Sequence, residues 1–254
     1  MMKTNLQSGQ KSKESLELAA QNQMTPFLGS LSAKYESGRG GAGTVSSGKG
    51  DRGGVSYGLY QMSSQPNGGT VSEFIHQPNL LWRARLLAHP IGSPEFATVW
   101  QEIAKRDPRF EKAQHQFIHD KFYVPMARSI LNRCGIDIRD SSFALQNVIW
   151  SCAVQHGANS ALPINCWLNL PKQVQSSDPV SRDTAWITAI YTERSRVDEH
   201  GILVYFKNSS PEVQKGLKAR FKSESLAALT MLTNSSRTGF TGLAMAKMAH
   251  PRKG

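Results

Sequence analysis

The sequence predicts an α+β fold, mostly helical, with two lobes: a small lobe built round an early β-hairpin and a larger helical lobe. Three observations predict it. From residue 70 onward, apolar residues recur at helical spacing between Pro, Ser and Gly punctuation. Residues 38–54 hold eight glycines, which a helix does not tolerate. Residues 55–62 alternate weakly between apolar and polar, as a short strand does.

The elements follow in chain order. Residues 1–24 are polar and rich in Gln, Lys and Ser, and read as a flexible arm. Thr25-Pro26 reads as an N-cap with Pro at the first helical position, opening a helix over Phe27–Tyr35 that stops at Ser37-Gly38. The glycine-rich excursion and Val55–Met62 then predict a sheet of two or three short strands. Val71–Ile75 opens a short helix. Phe96, Val99, Trp100 and Ile103 mark a helix over Phe96–Lys105, and Pro108 starts the next, with Phe110, Ala113, Phe117, Ile118 and Phe122 on one side. Pro125–Cys134 ends at the C-cap Gly135. Ser141 and Ser142 can cap the long run Phe143–His156. Trp186, Ile187, Ile190 and Tyr191 mark Thr184–Val197, and Ser210-Pro211 opens Glu212–Thr230. Residues 233–254 lack periodicity and read as a basic tail. The expected organisation is therefore an arm (1–24), a catalytic domain (25–232) and a tail (233–254).

Composition narrows the function. Of the 254 residues, 39% are hydrophobic, and five Trp and ten Phe can fill a core. The net charge of +11 favours polyanionic partners: nucleic acid, anionic membrane or bacterial wall. No basic stripe with interleaved aromatics, as single-strand binders use, is present, so nucleic acid is not expected. No stretch is apolar enough to span a bilayer, and residues 1–24 lack the apolar core of a secretory signal. A membrane partner is not expected either. Cys134, Cys152 and Cys166 show neither a disulfide framework nor zinc spacing, and are read as reduced thiols. His115 and His119 lie four apart on one helix, but Gln116 stands where a metallopeptidase needs Glu, so no metal or cofactor is expected.

The chemistry centres on two carboxylates. Glu36 closes an amphipathic helix. At the mouth of an apolar cleft, desolvation disfavours its charged form and suits it to act as a general acid. Asp51, between Lys49 and Arg52, would stay ionised. Alone, each has an ordinary alternative: a surface Glu at a helix end, and a turn Asp. Together they form the acid and second carboxylate that glycoside hydrolysis requires. Glycines 53, 54 and 58 let a sugar chain approach the backbone. Ser56, Tyr57, Tyr60 and Gln61 are the candidate substrate contacts on the hairpin. Gln155 and His156 are read either as a cleft wall touching substrate or as a helix end satisfied by its last carbonyls.

The run Gly50-Asp51-Arg52-Gly53-Gly54, followed by Tyr57-Gly58-Leu59-Tyr60-Gln61-Met62, resembles the signature of goose-type lysozymes. With Tyr35-Glu36-Ser37-Gly38 included, it is closer still to the chitosanase-like branch of the lysozyme superfamily, which supplies wall-cleaving domains of type VI secretion spike proteins and phage wall hydrolases. Ala113-Gln114-His115, Ile149 to Gly157 and Ile190 to Arg194 resemble later segments of those relatives, so the likeness covers residues 27–230. It implies a lysozyme-like fold, a muramidase acting on the glycan strand of peptidoglycan, Glu36 as general acid and Asp51 as second carboxylate. It also implies action in the periplasm of a target bacterium, a secretion-machine carrier and a periplasmic inhibitor that plugs the cleft. The glycine loop favours carboxyl groups about 6.5–9.5 Å apart and an inverting course. Alternatives are a phage endolysin of the same chemistry, a chitosanase (disfavoured because a cationic polymer repels this chain), a lytic transglycosylase, and a non-catalytic wall-binding module.

Overall fold

The computed structural model of the chain describes residues 27–32, 41–48, 53–67 and 69–248, the last stretch as backbone alone from residue 235. The fold is α+β and mostly α. The sheet is a two-stranded antiparallel hairpin, β1 (Ser56–Tyr57) and β2 (Met62–Ser63), with Tyr57 opposite Met62. A bridge from Val45 to Tyr57 adds a third segment without a third strand.

The helices are α1 (Gly69–Ile75), α2 (Arg83–Leu86), α3 (Pro94–Arg106), α4 (Arg109–Ile118), α5 (Val124–Cys134), α6 (Phe143–His156), α7 (Leu162–Leu168), α8 (Lys172–Gln175), α9 (Pro179–Arg194) and α10 (Pro211–Met248). Capping explains several ends. Ser93 Oγ accepts from Phe96 N–H at the start of α3, and Ser142 Oγ from Leu145 N–H at the start of α6. Gly135 ends α5 at φ +70°. Asp178 caps α9 through the amides of Val180 and Ser181, five to six residues before the expected start at Thr184.

Helix α6 lies at the centre. Ala144, Leu145, Val148, Ile149, Trp150, Cys152 and Ala153 are all fully or almost fully buried, so it is apolar all round, as a core helix is. The β-hairpin rests on an aromatic cluster in which Tyr57 meets Phe96 and Trp100 edge-on or tilted, and Trp100 meets Phe74 and Phe110. On the other side, α7 and α9 join through Trp167 and Trp186 (4.7 Å between centroids), and Trp186 Nε1 donates to Pro163 O.

Two expectations change, and the ion pairs of α9 form beyond the adjacent residue. The last helix does not stop near Thr230: its backbone remains helical to Met248, through much of the expected tail. Between α4 and α5 the chain forms a π-helical turn, His119–Tyr123, closed by Val124 N–H on His119 O. Glu193 and Arg194 do not pair with each other, because adjacent helical residues point apart. Glu193 pairs with Arg196 and Arg194 with Glu224. The three cysteines are free. No helix among the described residues is long and apolar enough to cross a membrane, and no metal-ligating cluster occurs among them.

Candidate active site

Glu36 and Asp51 lie outside the described residues, as do the arm 1–24 and the last six residues. The flanks of the two carboxylates are described. Before Glu36, the buried Asn147 of α6 turns its Oδ1 to the backbone: Gly29 N–H donates at 2.9 Å and Leu31 N–H at 3.4 Å. Gly29 has φ +89° and sits against the Trp150 indole so closely that a Cβ there would lie 2.6 Å from Cε2. Only glycine fits both constraints. Phe27 meets His115 edge-on at 5.6 Å.

After Glu36 the next described residues form a short turn, Gly41–Gly43. Its Ala42 carbonyl accepts from Trp100 Nε1 (2.9 Å) and from Gln114 Nε2 (3.0 Å). The same Gln114, fully buried on α4, accepts Leu59 N–H at 3.0 Å through Oε1. One side chain thus joins the re-entry turn to the hairpin tip. Gly58, at φ +80°, passes so near that a Cβ would lie 2.2 Å from Gln114 Oε1.

Both flanks of Asp51 are also tied. Gly48 N–H donates to Ser46 Oγ, and Ser56 N–H reaches the same oxygen at 2.8 Å. Gly53 O accepts from Ser64 and Gln65 N–H at 3.1 and 2.9 Å.

The sequence-derived contact residues fall into two groups. Ser56, Tyr57, Tyr60 and Gln61 share the hairpin. Ser56 is 8% exposed and Tyr57 is fully buried, its ring given to the Phe96–Trp100 cluster. Burial pushes the Tyr57 phenol up, while the Gly92 backbone pulls it down. Gln61 turns back on the hairpin, Nε2 donating to Gly58 O, at φ +47°. Tyr60 is buried: its hydroxyl shares a 2.8 Å hydrogen bond with His115 Nδ1, and its ring lies 5.6 Å from Trp150. His115 stacks on Trp150 (4.9 Å, 12°). Burial, then repulsion from His119, lowers its pKa, so its neutral ring can accept the tyrosine proton.

Gln155 and His156 sit apart from these, about 7.5 and about 9 Å further along α6 than Trp150 at 1.5 Å per residue. They border a buried polar clasp. Glu224 of α10, fully buried, accepts from Ser151 Oγ (3.0 Å), Tyr191 hydroxyl (3.2 Å), Arg194 Nη1 (3.2 Å) and Arg220 Nε (2.8 Å). Gln155 Oε1 accepts from Arg194 Nη2. His156 packs on Tyr205 and Phe206; burial first, then Arg194 and Arg220, lowers its pKa to about 3.

Sequence reasoning did not assign Asn147, Trp150 or Gln114 a role in the site. Of these, Asn147 carried a signal: an amide inside a largely apolar stretch implies a buried backbone group that needs a partner.

The profile of the family described as type VI secretion system spike protein VgrG3-like, C-terminal, matches residues 28–225. The chain is 38% identical over 139 residues to the type VI secretion system spike protein VgrG3 of Vibrio cholerae serotype O1 (strain ATCC 39315 / El Tor Inaba N16961). That alignment covers 54% of this chain and 13% of the spike protein.

Proposed function

The chain belongs to the VgrG3-like C-terminal family of type VI secretion spike proteins, and from that premise we propose that it is a glycosidase of muramidase type acting on the glycan strand of peptidoglycan. Glu36 is the general acid and Asp51 the second carboxylate, and residues 25–232 form the catalytic unit. The observation that carries this reading is the anchoring of the described flanks. The described backbone on both sides of Glu36, and the hairpin that follows Asp51 in the chain, is held by groups of α4 and α6: the buried Gln114, Asn147 and Trp150 and the half-buried His115. Acid–base hydrolysis of a sugar needs two carboxyl groups held at a set separation. A non-catalytic module has no such need for two rigid flanks.

The chain reaches its substrate through a type VI secretion machine and acts in the periplasm of a target bacterium. There a cleft-plugging inhibitor protects the producer's kin. Digestion of purified sacculi, with new reducing ends read by mass spectrometry, tests the chemistry. N-acetylmuramic acid reducing ends are expected from the wild type and none from Glu36→Gln. Full lysis by Glu36→Gln would overturn the assignment. Anhydro products together with an active Asp51→Ala would make the enzyme a lytic transglycosylase.

A further inference from the structure

His115 sits where three segments meet. From α4 its imidazole stacks on the Trp150 indole of α6 at 4.9 Å and 12°. It meets the Phe27 ring edge-on at 5.6 Å, two residues before the Gly29 that packs on the same indole. Its Nδ1 shares the 2.8 Å bond with the Tyr60 hydroxyl at the hairpin tip. The indole also meets His119 and Tyr123, at 5.9 and 5.6 Å between centroids. Those two residues open and close the π-helical turn beyond α4, a distortion that recurs at functional sites.

The proton state of the ring decides how this junction bonds. Neutral, the imidazole offers Nδ1 as an acceptor for the Tyr60 hydroxyl. Protonated, both ring nitrogens are donors, and the hydroxyl must turn its own proton away. Tyr60 is 3% exposed, so water does not readily take over. An imidazolium would also place a charge in a half-buried position with no carboxylate partner among the described residues. The titratable groups facing His115 among those residues are Tyr60 from the hairpin and, on its own helix, His119, which is bonded to Asp120. From α6 and from the segment ahead of Glu36 it meets only the Trp150 and Phe27 rings. Burial first, then His119, lowers the His115 pKa, so the packed arrangement selects the neutral ring.

We infer that His115 is a positioning residue: its neutral ring locks the hairpin tip to Trp150 and Phe27, and a proton taken up by the ring loosens that lock and slows the reaction. By linkage the lock is complete above about pH 6.5, where a free histidine is neutral, and weakens as pH falls below that. This rests on the wall-hydrolase reading for what is positioned and on the ring geometry for the lock itself.

The test separates the two. Histidine-selective NMR titration of the full chain reads the lock without any substrate. Tyr60→Phe keeps the ring and removes the donor that favours the neutral imidazole, so the His115 midpoint should rise toward the ordinary histidine value. An unchanged or lower midpoint overturns the inference. Hydrolysis of purified sacculi reads the consequence. His115→Phe keeps a ring against Trp150 but has no acceptor, and its rate at neutral pH should fall roughly tenfold, as for one lost buried hydrogen bond. His115→Asn, whose Oδ1 can stand in for Nδ1 and does not titrate, recovers part of that rate, and its acid limb lies at lower pH than that of the wild type. A merely structural imidazole would change the rate and leave the limb in place. The same acid limb in wild type and His115→Asn, or a full rate in His115→Phe, overturns the inference. Should His115→Phe fail to fold, the Tyr60→Phe titration and the His115→Asn limb decide it. Absence of hydrolysis by the wild type would count against the hydrolase reading, and the titration alone would then decide the lock.

Discussion

Replacing Gln114 with leucine tests whether one buried amide holds the hairpin that follows Asp51 in the chain. Leucine keeps most of the volume, so the cavity cost is small. Two hydrogen bonds go: Leu59 N–H to Oε1 and Nε2–H to Ala42 O, each 3.0 Å. Ala42 O retains Trp100 Nε1, so it is not orphaned. Leu59 N–H is orphaned, in a residue only 7% exposed. An unpaired buried donor costs about 1–3 kcal/mol and the second bond about 1 kcal/mol, or roughly 2–4 kcal/mol in all. For a chain of this size each kcal/mol lowers the midpoint by about 2–4 °C, so the melt should move down by about 5–15 °C. The chain stays folded at 25 °C, yet the hairpin tip and the re-entry turn are no longer joined. The initial rate of wall hydrolysis at 25 °C should therefore fall more than tenfold while the folded fraction, followed by circular dichroism, stays near one. A midpoint within about 2 °C of the wild type, together with an undiminished rate, would refute the claim that this side chain positions the site.

Further perturbations read other parts of the same scaffold. Gly29→Ala would put a Cβ 2.6 Å from Trp150 Cε2 at φ +89°; a loss of about 2 kcal/mol or more is expected, from left-handed strain and displacement of the indole, visible as a lower melting midpoint and altered tryptophan fluorescence. Glu224→Gln removes the anion that four donors share and leaves the fully buried Arg194 uncompensated, a cost of about 3–5 kcal/mol that urea unfolding should report. His156 takes up a proton below pH 6.5 when unfolded but only near pH 3 when folded. Its contribution is complete above pH 6.5 and is lost as pH falls, at up to about 1.4 kcal/mol per unit. Melts of His156→Phe between pH 7 and 4.5 should be flatter than those of the wild type, with a residual slope from His115, whose pKa is lowered in the same sense.

The sequence was most legible where local chemistry sets the backbone. The serine cap of α6, the Ser210-Pro211 start of α10 and the glycine stop of α5 fall within a residue or two of their expected places, because caps are bonds between neighbours. Legibility failed where distant partners decide. The start of α9 lies at Asp178, whose carboxylate caps it, while periodicity became visible only at Trp186. The π-helical turn adds one residue to a helix without disturbing its composition, so no pattern announces it. The pairing of Arg194 with Glu224 joins positions thirty residues apart, beyond the reach of any local pattern. The two carboxylates stand in a motif, whereas Gln114 sits among polar residues of α4 and nothing local indicates that it anchors a flank.

Those two amides are instances of a device used a third time. Gln214, on α10, accepts Leu203 N–H at 2.9 Å and donates to Phe206 O, pinning the loop before its own helix. Asn147 pins the segment ahead of Glu36, and Gln114 pins the turn after it together with the hairpin. In each case irregular backbone lies on a helix and a buried amide meets groups that helix and sheet ladders do not: a donor and an acceptor for Gln114 and Gln214, and two donors for Asn147, whose Nδ2 turns back to Phe143 O of its own helix. An amide suits this better than a carboxylate, which only accepts, or a lysine, which only donates and carries a charge that is costly to bury. For the proposed hydrolase, the consequence is that the described backbone flanking the two carboxylates is held by the helical core rather than by the two-residue strands, which are too short to hold a hairpin alone. Substitutions on the buried face of α4 and α6 should therefore reduce hydrolysis as strongly as substitutions on the hairpin itself, whereas a hairpin held by its own ladder would be insensitive to them.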